Sequence, residues 1–179
     1  MPFGLKLDPR RRRRLARALL LWLATTVLLV TIQSRLRLNT SHSSPPGLYV
    51  ISQEPLTHDT WVIACLDEAT TRYGLERAYL PPGDCPGGGR PVLKRVAALP
   101  GDRVTVTEDE LVTRDLRLQR FTTDRLGRPV RRLSAGTYTV APGTVWLYSD
   151  YSPRSWDSRY WGPVPIESVE TAVPLWVFP

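Results

Sequence analysis

Three short stretches of this sequence concentrate residue types that can carry out acyl-transfer chemistry. The first, residues 39–49, reads N-T-S-H-S-S-P-P-G-L-Y and holds Ser41, Ser43 and Ser44 against two prolines and a glycine. A rigid turn of this kind can present a hydroxyl and nearby backbone N–H groups to a reacting carbonyl; the same composition also makes a plain linker. The second, residues 92–102, reads V-L-K-R-V-A-A-L-P-G-D and contains Lys94, one of only two lysines in a chain that otherwise takes its basic residues as arginine. In an extended segment Val92, Lys94 and Val96 share one face, with Leu93 and Arg95 on the other. Burial on such a face disfavours the ammonium and lowers the lysine pKa from its usual ~10.4 toward values at which an amine accepts a proton. The alternative is an edge-strand lysine whose amine snorkels to water. The third stretch, residues 149–163, reads S-D-Y-S-P-R-S-W-D-S-R-Y-W-G-P.

Serine with a desolvated lysine makes a coherent hydrolase. The hydroxyl attacks a peptide carbonyl, the neutral amine takes the hydroxyl proton, and the resulting ammonium protonates the leaving amine. A Ser-His-Asp arrangement fits less well. His42 is the direct neighbour of Ser43, and His58 lies in the polar loop 55–59, so both histidines read as surface residues. Asp102 reads as turn chemistry after Pro100-Gly101. The aromatic cluster Trp156, Tyr160 and Trp161 either packs the core or meets a bilayer surface, and the second is expected for at least one of them.

The elements that must position these residues are short. Runs of β-branched and aromatic residues recur between Pro/Gly punctuation, which predicts strands at 47–52, 61–66, 92–98, 103–107, 110–113, 137–140, 145–149 and 171–178. The expected class is mainly β, as coiled sheets or a partly open barrel. Ahead of this domain, residues 18–32 are uncharged and apolar, flanked by five consecutive arginines at 10–14 with Arg17, and by Arg35. The run spans about 22 Å as helix, short of the ~30 Å hydrocarbon core. Flanking residues and snorkelling arginines can extend it. No small-x-small site follows it, which disfavours a cleaved signal peptide, and no amphipathic face favours a soluble core helix. The expectation is an uncleaved single-pass anchor over residues 1–37, with its amino terminus cytoplasmic by the positive-inside rule. Residues 38–179 then form one domain on the outer side of the inner membrane.

Charge and cysteine usage agree with that division. The formal net charge is +7, yet residues 1–37 hold nine basic residues and one acidic residue, which leaves the rest of the chain at −1. A basic nucleic-acid-binding surface is therefore not expected. Cys65 and Cys85 both fall in the exported domain, where disulfides persist, and a bridge between them is expected. The His and Cys residues show no metal-ligand spacing, so no metal or other cofactor is expected.

Taken together, the three stretches resemble the boxes of the type I signal peptidase family, most closely its conjugative-transfer (TraF-type) branch. The pattern N-x-x-x-S-x-P-x-G-L-Y is matched by Asn39, Ser43, Pro45, Gly47, Leu48 and Tyr49. K-R-V-x-x-x-P-G-D is matched by Lys94, Arg95, Val96, Pro100, Gly101 and Asp102. S-x-D-S-R-Y-W/F-G-P is matched by Ser155, Asp157, Ser158, Arg159, Tyr160, Trp161, Gly162 and Pro163. The resemblance implies a signal-peptidase-like β domain with Ser43 as nucleophile and Lys94 as general base. Ser155 would orient the lysine amine, and Asp157 with Arg159 would form an ion pair near the site. Ser41 and the Ser43 N–H would form the oxyanion hole. It further implies cleavage of the signal or leader sequence of an exported precursor, with a conjugative propilin as the expected substrate and cyclisation as the outcome when an amine takes the acyl group. The rival expectation is a non-catalytic, membrane-tethered β module that binds pilus or secretion components.

Overall fold

The computed structural model describes residues 8–178; Lys6 and the rest of residues 1–7 lie outside it. The described chain divides into two units between Leu36 and Arg37. The first is a single helix, α1 (Pro9–Arg35), capped by the Asp8 carboxylate and carrying Pro9 in its first turn. Its 27 residues span about 40 Å, enough to cross a bilayer by length and composition. The helix thus extends the apolar run at both ends, and none of its residues is buried. Thr25, Thr26 and Thr31 donate their hydroxyls to the carbonyls one turn earlier, so the polar atoms within the run are already paired.

The second unit is mainly β. One sheet has the order β1-β2-β11-β3-β4-β9-β10, with β1 at Leu36–Asn39, β2 at Gly47–Ile51, β3 at Trp61–Ala64, β4 at Val92–Ala98, β9 at Thr144–Tyr148, β10 at Val164–Pro165 and β11 at Val169–Val177. A smaller sheet, β7-β6-β5-β8, is built from β5 (Arg103–Val106), β6 (Glu110–Thr113), β7 (Leu116–Gln119) and β8 (Gly136–Thr139). Two short helices, α2 (Glu68–Glu76) and α3 (Ser158–Trp161), complete it. The expected mainly-β class is what the structure has. β4 and β6 have the expected bounds, and the other expected strands differ by a residue or two at their ends.

Central placement of β4 explains its hydrophobic run. It pairs antiparallel with β3 on one side and β9 on the other. Val92 and Val96 join Val62, Val145 and Leu147 in one core cluster. Ala97, Ala98, Val104, Leu111 and Trp146 form a second. Tyr49, Ile63, Leu93 and Ala172 make a third beneath β2. Gly47 opens β2 where it pairs with the end of β11, and a Cβ there would run into the Trp176 carbonyl. The family-type glycine at this position is thus a requirement of close strand approach.

Cys65 and Cys85 are bridged, with Cα atoms 5.4 Å apart. Closing this loop contributes about 3 kcal/mol by the chain-entropy argument. The bridge fastens the segment that contains α2 to the end of β3. The aromatic cluster of the third stretch packs inward: Tyr160 is buried, and Trp156 lies 5.3 Å from the Tyr79 ring. Trp161 packs against the first core cluster. None of the three is exposed, contrary to the expectation of a bilayer contact. Their neighbours explain this, because α2 and the segment after it supply Tyr73 and Tyr79 as stacking partners.

Candidate active site

Ser43 lies in the turn between β1 and β2, and Asn39 holds that turn in shape. Its side-chain N–H groups donate to the carbonyls of Ser44 (3.1 Å) and Pro45 (2.8 Å). Its Oδ1 accepts from the Ser41 backbone N–H (3.2 Å) and the Ser41 hydroxyl (2.8 Å). The Tyr49 hydroxyl adds a second donor to the Pro45 carbonyl at 2.9 Å. Pro45 and Pro46 bring no N–H groups of their own, so the side chains supply what the backbone cannot.

The two adjacent serines have different tasks. Ser44 is fully buried and donates its hydroxyl to the Leu93 carbonyl at 2.6 Å, tying the turn to β4. Ser43 Oγ instead lies 2.9 Å from Lys94 Nζ and 3.4 Å from Ser41 Oγ. Lys94 is 1% exposed, and its Nζ also lies 2.9 Å from Ser155 Oγ. Burial pushes the ammonium down to about 8; Asp157 pulls it back up and Arg159 pushes it further down. The snorkelling alternative is excluded because β4 is central and its Lys94 face is covered.

Ser155 belongs to a loop fixed by one guanidinium. Arg159, buried in α3, meets both oxygens of buried Asp157 at 2.8 Å. It also donates to the carbonyls of Ser155 (3.0 Å), Pro153 (3.0 Å), Ser149 (3.3 Å) and Gln119 (2.8 Å). Asp157 Oδ2 additionally accepts the Ser149 N–H at 3.1 Å. Every polar group of this buried pair is therefore engaged, the condition under which such pairs are tolerated. Asp157 has no hydrogen bond to Lys94 and acts on it through space.

Beside Ser43 and Lys94 runs a groove of about 680 Å³. One wall is apolar, formed by Tyr49, Ile63 and Leu93; the other comes from the segment after α2 and a small hairpin around residues 121–130. A hydroxyl, a buried amine and a groove are thus brought together in the second unit.

Residues 12–178 match the family described as Signal peptidase, peptidase S26. The chain is 34% identical over 149 residues to the plasmid transfer protein TraF of Escherichia coli, covering 76% of this chain and 79% of that protein. It is 35% identical over 173 residues to a probable conjugal transfer protein TraF of Sinorhizobium fredii, with 88% of each chain covered. The chain belongs to the signal peptidase family, in its TraF branch. A solved signal peptidase I from Enterococcus faecalis is 21% identical, with a TM-score of 0.39, over 68% of this chain and 99% of that one.

The family's motif residues named from the sequence now have places. Ser41, Ser43 and Lys94 line the groove, buried Ser155 meets the Lys94 amine, and Asp157 pairs with Arg159 in the same stretch. Asp102 accepts the Leu99 N–H at 2.8 Å, as expected of turn chemistry. It also receives His58, whose Nε2 lies 2.6 Å away, so His58 is not a free surface residue. The clamp made by Asn39 was matched as a motif letter without a role. Its signal was local: an Asn shortly before a Pro-Pro pair, where carbonyls lack backbone donors.

Proposed function

We propose that this chain is a membrane-anchored serine endopeptidase that cleaves the leader of an exported precursor, with Ser43 as nucleophile and Lys94 as general base. The observation that carries the reading is a fully buried amine 2.9 Å from the Ser43 hydroxyl, with a second hydroxyl, Ser155, fixing its direction. With the ammonium lowered to about 8, an appreciable fraction of Lys94 is neutral near physiological pH. Neutral Lys94 takes the Ser43 proton as Oγ bonds to the scissile carbonyl carbon. The Ser43 N–H and the Ser41 hydroxyl, turned from Asn39, receive the oxyanion. Lys94 then gives its proton to the departing amine, leaving an ester on Ser43. Water, deprotonated by Lys94, releases the acid; an amine in its place gives a new peptide bond and hence cyclisation. The relatives bear the names of plasmid and conjugal transfer proteins, which supports a conjugative propilin as the precursor. We place α1 in the inner membrane, with the second unit on its outer face.

The test is cleavage of a propilin precursor by the wild-type chain, Ser43→Ala, Lys94→Ala and Lys94→Arg. The serine and both lysine variants are expected to lose activity by at least 10³-fold. Arginine holds its proton at all usable pH values, so full activity of Lys94→Arg would sink the general-base role. Full cleavage by Ser43→Ala would remove Ser43 as the nucleophile, and no cleavage by the wild-type chain would leave only the binding-module reading.

A further inference from the structure

The second unit is nearly neutral overall, yet its groove is not. Arg77, Arg90, Arg125 and Arg154 line it, and none has a carboxylate within ion-pair distance among the described residues. Asp124 is the single carboxylate among the lining residues. It is already occupied, accepting from Arg128 Nε at 2.8 Å and from the Tyr79 hydroxyl at 2.9 Å. Elsewhere the arginines are mostly engaged: Arg72, Arg95, Arg117, Arg132 and Arg159 each face an acid, and Arg120 is spent on carbonyls.

The cationic wall is also held in place. Arg128 donates to the Arg77 carbonyl at 2.9 Å, which joins the hairpin to the end of α2. Arg154 stacks 4.1 Å from the Phe121 ring centre while donating to the Thr123 carbonyl. Stacking satisfies the flat face of the guanidinium without neutralising its charge. An anionic occupant of the groove would meet these charges without displacing a carboxylate partner.

We propose that the groove selects a precursor with acidic residues flanking the scissile bond, held by Arg77, Arg90, Arg125 and Arg154. This rests on the peptidase reading, because the occupant is taken to be the peptide whose carbonyl reaches Ser43. Exposed charge pairs of this kind act mainly on encounter and on KM. Several together are expected to favour an acidic peptide about tenfold at low salt, and the preference shrinks as the screening length falls from ~10 Å at 0.1 M to ~3 Å at 1 M.

The experiment uses the full chain in neutral detergent and peptides that share one cleavage site. Glutamates are placed on the leader side, on the mature side, or replaced throughout by glutamine. The inference expects higher kcat/KM for one glutamate peptide, carried by KM and lost at high salt. Arg90→Glu with Arg125→Glu should reverse the order in favour of a lysine-bearing peptide, whereas the same charge change at Arg103, on β5 of the smaller sheet, should leave it as in wild type. Equal turnover of all peptides overturns the inference while the peptidase reading stands. If nothing is cleaved, that reading fails, and anisotropy binding of the labelled peptides to Ser43→Ala still decides the charge preference. Equal peptide binding, with arginine-dependent stimulation by phosphatidylglycerol in the micelle, would overturn it in favour of a lipid headgroup.

Discussion

On the proposed mechanism, Lys94 is the residue at which this fold gives up stability for reactivity. Its ammonium is held at about 8 against 10.5 for the free side chain, with desolvation as the leading cause. Between those two values the unfolded chain binds more protons than the folded one, so stability rises with pH across that window. Below about 8 both states are protonated and the folded state carries the whole burial cost, roughly 3 kcal/mol for a shift of this size. Lys94→Met removes the titration. The stability of wild type relative to Lys94→Met, measured by urea unfolding, should therefore rise by roughly 2–3 kcal/mol between pH 7.5 and pH 10.5. A gap that stays constant across this range would mean that the amine titrates normally. The same group gives the sign of the activity profile: kcat/KM should climb through an apparent pKa near 8, as the neutral amine becomes available.

At the scale of elements, the site exists because two segments far apart in sequence meet at Lys94 on β4. The Ser43 turn is fastened to β4 by Ser44, and the loop carrying Ser155 is fastened to α3 and to the end of β7 by Arg159. Arg159→Ala would leave the Asp157 carboxylate buried without its partner and should cost about 3–5 kcal/mol. Asp157→Ala with Arg159→Ala should cost clearly less than the two single changes added together, as measured by thermal unfolding of all three variants. Strict additivity would show that the pair does not act as a unit. β4 was legible because a buried central strand is a continuous apolar run, which makes an embedded lysine conspicuous. β7, with the sequence L-R-L-Q, was not: its alternation is brief, and its place depends on pairing with β6. α2 was hidden by Thr70, Thr71 and Gly74, although Asp67 capping the Thr70 N–H is a local start signal. The His58–Asp102 contact spans 44 residues and has no local signature at all.

For the whole molecule, the uneven charge distribution and the disulfide both fit the proposed membrane topology. The five arginines at 10–14 form the first turns of α1, ahead of its apolar run, and the nearly neutral second unit follows it. If the positive-inside rule sets the orientation, the second unit meets an oxidising compartment, and Cys65–Cys85 can form and persist there. Orientation and oxidation should then fail together. Replacing Arg10–Arg14 with glutamine is expected to invert a fraction of the molecules in a bacterial inner membrane. The inverted fraction, identified by protection of the second unit from protease added to spheroplasts, should carry Cys65 and Cys85 as free thiols that take up a maleimide after denaturation. The correctly oriented fraction should remain unlabelled. A protected fraction with an intact bridge would break the link between anchor charge and redox environment, because the bridge would then have formed on the reducing side.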